Sequence, residues 1–145
     1  MAESRATITI SRPIDDVWAV LTDPEKAPIW STPTVEEHWL TPPPHGLGSR
    51  RRAVNRALGR TQTNDAEVTA YEPGRSWTMT SVSGPRFVAT AAFEPVDGGT
   101  TVDFGWSFKF GAGQRLLEPI FLRFFMGQFT KDLARLKDLM ESGRL

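Results

Sequence analysis

The residues able to move a proton or anchor a polar group are few, and they lie in the middle of this 145-residue chain. Glu36, Glu37 and His38 sit together in VEEHW, Arg50, Arg51 and Arg52 form a basic run, and Asn64 and Tyr71 fall within QTNDAEVTAY. A carboxylate, imidazole or phenol at a pocket mouth can serve as a general acid or base. An arginine or an amide can hold a ligand oxygen. Successive side chains of a strand point to opposite faces, so Glu36 and Glu37 cannot work as a carboxylate pair. The catalytic candidates are Glu37, His38, Arg52, Asn64 and Tyr71. Each also has a plainer reading as a hydrogen-bonded structural or surface residue.

Other chemistry is absent from the pattern. The chain has no cysteine, hence no disulfide frame, thiolate nucleophile or cysteine metal site. Neither His38 nor His45 has a second ligand at a recognised metal spacing. There is no G-x-S-x-G elbow. Gly46-x-Gly48 and Gly111-x-Gly113 lack the third glycine of a dinucleotide loop, and no phosphate-loop lysine follows. No metal or other cofactor is expected. Lys+Arg and Asp+Glu number 17 each, and zero net charge disfavours general nucleic-acid binding. Arg50–Arg52 with Arg56 and Arg60 reads as a charged strand edge, with an anion site as the alternative. The start, MAESRATI, is polar and no apolar run reaches membrane-spanning length. A cytoplasmic protein without integral membrane association is the expectation.

The elements that must position these residues follow from turn chemistry and periodicity. Ala6–Ile10 alternates as a strand, and a helix carrying Val17, Trp18, Val20 and Leu21 follows Ser11-Arg12-Pro13. Ser11 or Arg12 is placed at its cap, with Pro13 in the first turn and Asp15 and Asp16 favoured by the helix dipole. Asp23-Pro24 opens a second short helix. Strands are predicted at Val35–Leu40, Ser49–Asn55, Gln62–Tyr71, Arg75–Val82, Arg86–Glu94 and Thr101–Phe110, with Thr41-Pro42-Pro43-Pro44-His45-Gly46 as a rigid loop. Pairing through the turns sets Phe93 beside Val102, Phe87 beside Phe108, Ala89 beside Met79, Ala91 beside Trp77, Val68 beside Met79 and Ala70 beside Trp77. All keep apolar residues on one face with no slip in register. Two strands stay ambiguous. A one-residue change around Gly59 decides whether Arg51 or Arg52 points inward, and Val35/Glu37/Trp39 is preferred over Glu36/His38/Leu40 because it buries Trp39.

A helix from about Gln114 to Ser142 closes the chain. Beyond Phe129 it carries one apolar stripe, Phe129, Leu133, Leu136 and Met140, as a helix packed on a core does. From Leu116 to Met126 it is apolar nearly all round and needs a second partner. Leu122 and Met126, opposite Ile120 and Phe124, are expected either to meet the short helices after Asp23 or to form a patch. For such a patch, self-contact in a two-fold homodimer is preferred.

The segments RPIDDVWAVLTDPEKAPIW, EVTAYEPGRSW and GGTTVDF, in this order, resemble the SRPBCC (START-like, helix-grip) superfamily, in particular its polyketide cyclase/dehydrase-like branch. The resemblance covers almost the whole chain as a single domain. It implies an α+β helix-grip fold: a seven-stranded curved antiparallel sheet wrapped around a long C-terminal helix, with two short helices after the first strand. It also implies a deep pocket between sheet and helix, with a small hydrophobic or aromatic molecule as ligand. The apolar positions assigned to that pocket are Trp39, Trp77, Met79, Phe87, Phe104, Trp106, Phe108, Leu117, Phe121, Phe124 and Phe125. Burying about 250 Å² of apolar ligand surface contributes roughly 6 kcal/mol gross, much of it offset by association costs, so polar anchors are required too. Two other readings stand beside a ligand carrier: a cyclase, aromatase or dehydratase using only side chains, and a non-catalytic lipid or partner chaperone.

Overall fold

The computed structural model describes residues 2–57 and 59–145. Along the chain run β1 (Ala2–Ile10), α1 (Ile14–Leu21), a 3-10 turn (Pro24–Lys26), α2 (Ala27–Trp30), β2 (Thr34–Trp39), β3 (Arg50–Ala57), β4 (Arg60–Glu72), β5 (Ser76–Ser83), β6 (Arg86–Val96), β7 (Gly99–Lys109), a second 3-10 turn (Arg115–Leu117) and α3 (Glu118–Glu141). The strands form one antiparallel sheet in the order β1-β7-β6-β5-β4-β3-β2. It is a curved half-barrel with the long C-terminal helix and short helices against it, the helix-grip arrangement.

Local chemistry explains most boundaries. Pro13 itself occupies the cap position of α1, with no side-chain cap bond, so neither Ser11 nor Arg12 caps it. Arg12 instead donates to Asp16 at 2.9 Å and to the Met140 carbonyl at 2.6 Å, tying the start of α1 to the end of α3. Asp23 caps the following turn by accepting from the Glu25 N–H at 3.0 Å. Buried Asp132 joins α3 to the segment after α2, accepting from the Thr32 N–H and hydroxyl at 3.0 and 2.6 Å.

Five of the six expected side-by-side pairs are present: Phe93–Val102, Phe87–Phe108, Ala89–Met79, Ala91–Trp77 and Val68–Met79. The sixth is not. The register shifts between Val68 and Ala70, so Ala70 lies opposite Thr78 and Tyr71 opposite Trp77. A bulge adds one unpaired residue and reverses the parity beyond it; Ala70 therefore turns out to solvent and Tyr71 turns in. A second irregularity between Thr34 and Glu36 leaves Val35 54% exposed, removing it from the inner set.

The two halves of α3 do different work. Phe129, Leu133, Leu136 and Met140 pack with Ile10, Val17, Val20 and Val102 into the main core. In the first half Phe121, Phe125 and Phe129 stack at one-turn intervals, with centroids 6.0 and 5.8 Å apart. Their edges and faces meet Phe110, Phe108, Trp106 and Phe104 at 5.0–5.7 Å. These spacings are those of packed aromatic pairs. The expected pocket between the sheet and the Leu117–Phe125 half of the helix is thus filled by the protein's own rings. The expected orientation of this half is also reversed. Leu122 and Met126 pack inward on the cores, because they adjoin the Phe121–Phe125 column that faces the sheet. Leu117, Ile120 and Phe124 are 59, 68 and 60% exposed.

Candidate functional site

A hollow of another kind lies elsewhere along the sheet. A cavity of about 430 Å³ is lined by Thr22 and Asp23 after α1, Trp39 of β2, His45 and Gly46 of the Pro-rich loop, Val68 and Tyr71 of β4 and Trp77 of β5. This volume falls within the range of small-molecule pockets. The bulge in β4 makes the site: without it Tyr71 would face solvent. Trp18 of α1 backs the aromatic wall, 5.8 Å from Tyr71 and 6.5 Å from Trp77 between ring centroids. The loop closes the opposite side. His45 stacks on Trp39 at 4.1 Å with 10° between the planes. Its Nε2 lies 3.0 Å from the Thr41 carbonyl, which can only accept, so Nε2 carries a proton. A Cβ on Gly46 would come within 3.3 Å of the Tyr71 ring, a tight contact that the ring would have to relieve by a few tenths of an ångström.

A polar group lies beside this wall. Glu37 and Asn64 both register against small Ala53, from β2 and β4 respectively, and Arg51 is two residues from Ala53 on the same face. Arg51 Nε is 3.1 Å from Glu37 Oε1, and the two side chains are only 11% and 13% exposed. Burial holds the Glu37 carboxyl above its ordinary range; the Arg51 charge opposes this, and the Asp23 carboxylate adds to it. Because Asp23 also lines the cavity, it couples the ion pair to the hollow. Two buried polar atoms of the group, Arg51 Nη1 and Asn64 Oδ1, have no hydrogen-bond partner among the described residues, one a donor and the other an acceptor. Such orphans are uncommon in folded proteins and call for a physical account.

Among the catalytic candidates, the inner face brings together Glu37 and Asn64, and Tyr71 lines the cavity. His38 is exposed on the outer face of β2. Arg52 also points outward and makes a two-pronged bond to Asp65 at 2.8 and 2.9 Å; the inward arginine is Arg51. Among the residues assigned to the pocket, Trp39 and Trp77 line the cavity. Met79, Phe87, Phe104, Trp106, Phe108 and Phe125 belong to packed core, Phe121 is 39% exposed beside Phe110, and Leu117 and Phe124 face solvent. Thr22, Asp23, His45, Gly46 and Val68 are not among the residues the sequence assigns to the site. Asp23 reads from sequence as a helix cap, which it also is, and the Pro-rich loop has no periodicity to say where it lands. Among the described residues no group of three or more His, Asp or Glu side chains is placed to hold a metal ion.

The fold has solved counterparts. DR_A0006 from Deinococcus radiodurans is 25% identical, with a TM-score of 0.72 over 99% of each chain. TTHA0849 from Thermus thermophilus is 19% identical, with a TM-score of 0.79 over 99% of this chain and 100% of that one. The di-domain ARO/CYC BexL from the BE-7585A biosynthetic pathway is 20% identical, with a TM-score of 0.77 over 97% of this chain and 47% of its own. No curated protein matches the chain. The sequence profile described as polyketide cyclase / dehydrase and lipid transport matches residues 1–141, and with the helix-grip sheet and helix in place the chain belongs to that family.

Proposed function

We propose that the protein binds a small hydrophobic or aromatic molecule in the cavity walled by Trp39, Tyr71 and Trp77. The ligand's flat apolar part stacks on these rings, and a polar end reaches toward Arg51 and Asn64. The observation that carries this reading is a cavity of about 430 Å³ with aromatic walls beside a buried, incompletely bonded polar group. The aromatic rings supply stacking surface, and a few convergent polar groups fix orientation. Native mass spectrometry of the freshly purified protein tests for a co-purified ligand. Titration with 2-naphthol, read by tryptophan fluorescence, tests the site itself. Trp77→Ala is expected to weaken 2-naphthol binding at least tenfold. Equal affinity in that variant, with no co-purified mass, would overturn the reading.

Glu37 favours a second reading, a cofactor-independent cyclase or dehydratase. A carboxyl that burial holds above its ordinary range keeps its proton more tightly than a free one and is a candidate for proton exchange. In such a step the Glu37 carboxylate takes a proton from the carbon next to a ketone while Arg51 Nη1 supports the developing enolate oxygen. That carbon then bonds to a second carbonyl carbon, and the resulting alkoxide takes the proton back from Glu37. The likeness to an ARO/CYC fold supports this second reading. Replacing a general acid or base costs typically about 10²–10⁴-fold in rate. With a poly-ketone substrate, Glu37→Gln should therefore lower turnover by that factor while affinity holds. Unchanged turnover would leave only the binding role.

A further inference from the structure

We propose that the second 3-10 turn and the first turns of α3 form a peripheral docking surface for an anionic lipid bilayer. Leu116, Leu117, Ile120 and Phe124 are 90, 59, 68 and 60% exposed and adjoin one another on the outer side of one short stretch, with Phe121, 39% exposed, at their border with the sheet-facing column. The other exposed large apolar residues, Ile29, Val35, Leu40, Leu47, Val82 and Val96, lie on other elements and loops. Contiguous exposure of this kind marks a contact surface.

Charge selects the occupant. Lys109–Lys131 holds Lys109, Arg115, Arg123 and Lys131 against the single carboxylate Glu118, a net of +3 in a chain whose total is zero. All four cations are exposed, and none is in an ion pair among the described residues. Arg86, directly opposite Lys109 in the β6–β7 ladder, adds another exposed cation at this end of the sheet. A two-fold pairing of the chain through this face would set these cations against their own copies. An anionic bilayer instead offers headgroups to the cations and an acyl boundary to Leu116, Ile120 and Phe124, with the long basic side chains reaching back to the headgroups. Among the described residues no helix is long and apolar enough to cross a membrane, so the contact is interfacial.

The test uses the intact chain and phosphatidylcholine vesicles with or without phosphatidylglycerol. Co-sedimentation is expected only with phosphatidylglycerol present and is lost in molar salt. Arg115→Gln and Arg123→Gln should each weaken it roughly fivefold, and Ile120→Glu/Phe124→Glu more than tenfold. These side chains are exposed, so circular dichroism should confirm an unchanged fold. The chain lacks cysteine, so a fluorophore on Leu116→Cys, with Leu47→Cys as control, reports which face is buried. A blue shift at Leu116→Cys alone supports the proposal. Binding that ignores phosphatidylglycerol or survives Ile120→Glu/Phe124→Glu overturns it. So does a two-fold dimer at low micromolar concentration that Phe124→Glu dissociates, with no vesicle binding by the native chain. Salt-sensitive capture by an acidic protein without vesicle binding would overturn it as well.

Discussion

Arg51 and Arg52 are neighbours on β3, yet their surroundings give them opposite physics. Arg51 turns to the concave face and meets Glu37 at 3.1 Å, both side chains largely out of water. Arg52 turns to the convex face and grips Asp65 with two bonds of 2.8 and 2.9 Å at an exposed site. Outside, the hydrogen bond from Arg52 holds the Asp65 carboxyl below its ordinary range. Inside, burial outweighs the partner's charge, and Glu37 is held above its ordinary range. The same chemical pair is thus a settled charge on one face and a poised proton site on the other. Desolvation of a buried pair can exceed its mutual attraction, whereas an exposed pair loses little solvation and gains little. The inner pair also leaves Arg51 Nη1 without a hydrogen-bond partner among the described residues.

The largest expected effect is Arg51→Met, which strands the Glu37 carboxylate in the interior and should cost about 3 kcal/mol in urea unfolding at neutral pH. Adding Glu37→Leu should recover most of it, since two apolar side chains restore a neutral interior. An Arg51→Met loss no larger than that of Arg52→Met would break the comparison.

Next comes the pH dependence of Glu37. The fold binds this proton more tightly than the unfolded chain does. The contribution is therefore fully present below the ordinary value of 4.5 and is lost as pH rises through the raised folded value. Wild-type stability relative to Glu37→Gln should fall across that interval. Asp65 runs the other way: its contribution is present above the ordinary 3.8 and is lost as pH falls through the lowered folded value. Wild-type stability relative to Asp65→Asn should thus decline only in acid. Finding the same sign at both sites would show that the two faces do not differ electrostatically. The smallest effect is expected for Arg52→Met, whose loss should shrink in high salt because the Arg52 side chain is close to half exposed.

Much of the fold was legible in the chain. Alternation in Thr101–Phe110 and the Gly-containing turns set the β5–β6–β7 pairings, and the period of Phe129, Leu133, Leu136 and Met140 set the buried stripe of α3. The site was legible only in fragments. Trp39, Tyr71 and Trp77 stand out in the sequence, but Tyr71 reads there only as the last residue of the Gln62–Tyr71 strand. Its inward aim depends on a bulge between Val68 and Ala70 that no residue type there announces. Arg51 and Arg52 are chemically identical, so nothing in the run Arg50–Arg52 says which one enters the interior. The filled interval under α3 is not legible for a related reason: alternating large and small side chains suit both a cavity and an interdigitated core.

What the sequence by itself determined is the order and type of the elements, the shared apolar face of β5, β6 and β7, and the family. These rest on local periodicity, turn chemistry and short segments that survive in one dimension. Tertiary structure alone decided where the hollow lies, which arginine is buried and which side of the first half of α3 meets solvent. Each of these depends on a one-residue change of phase, a bulge in β4 or the rotation of a helix about its axis. Only packing against distant elements has enough free energy to select among such phases.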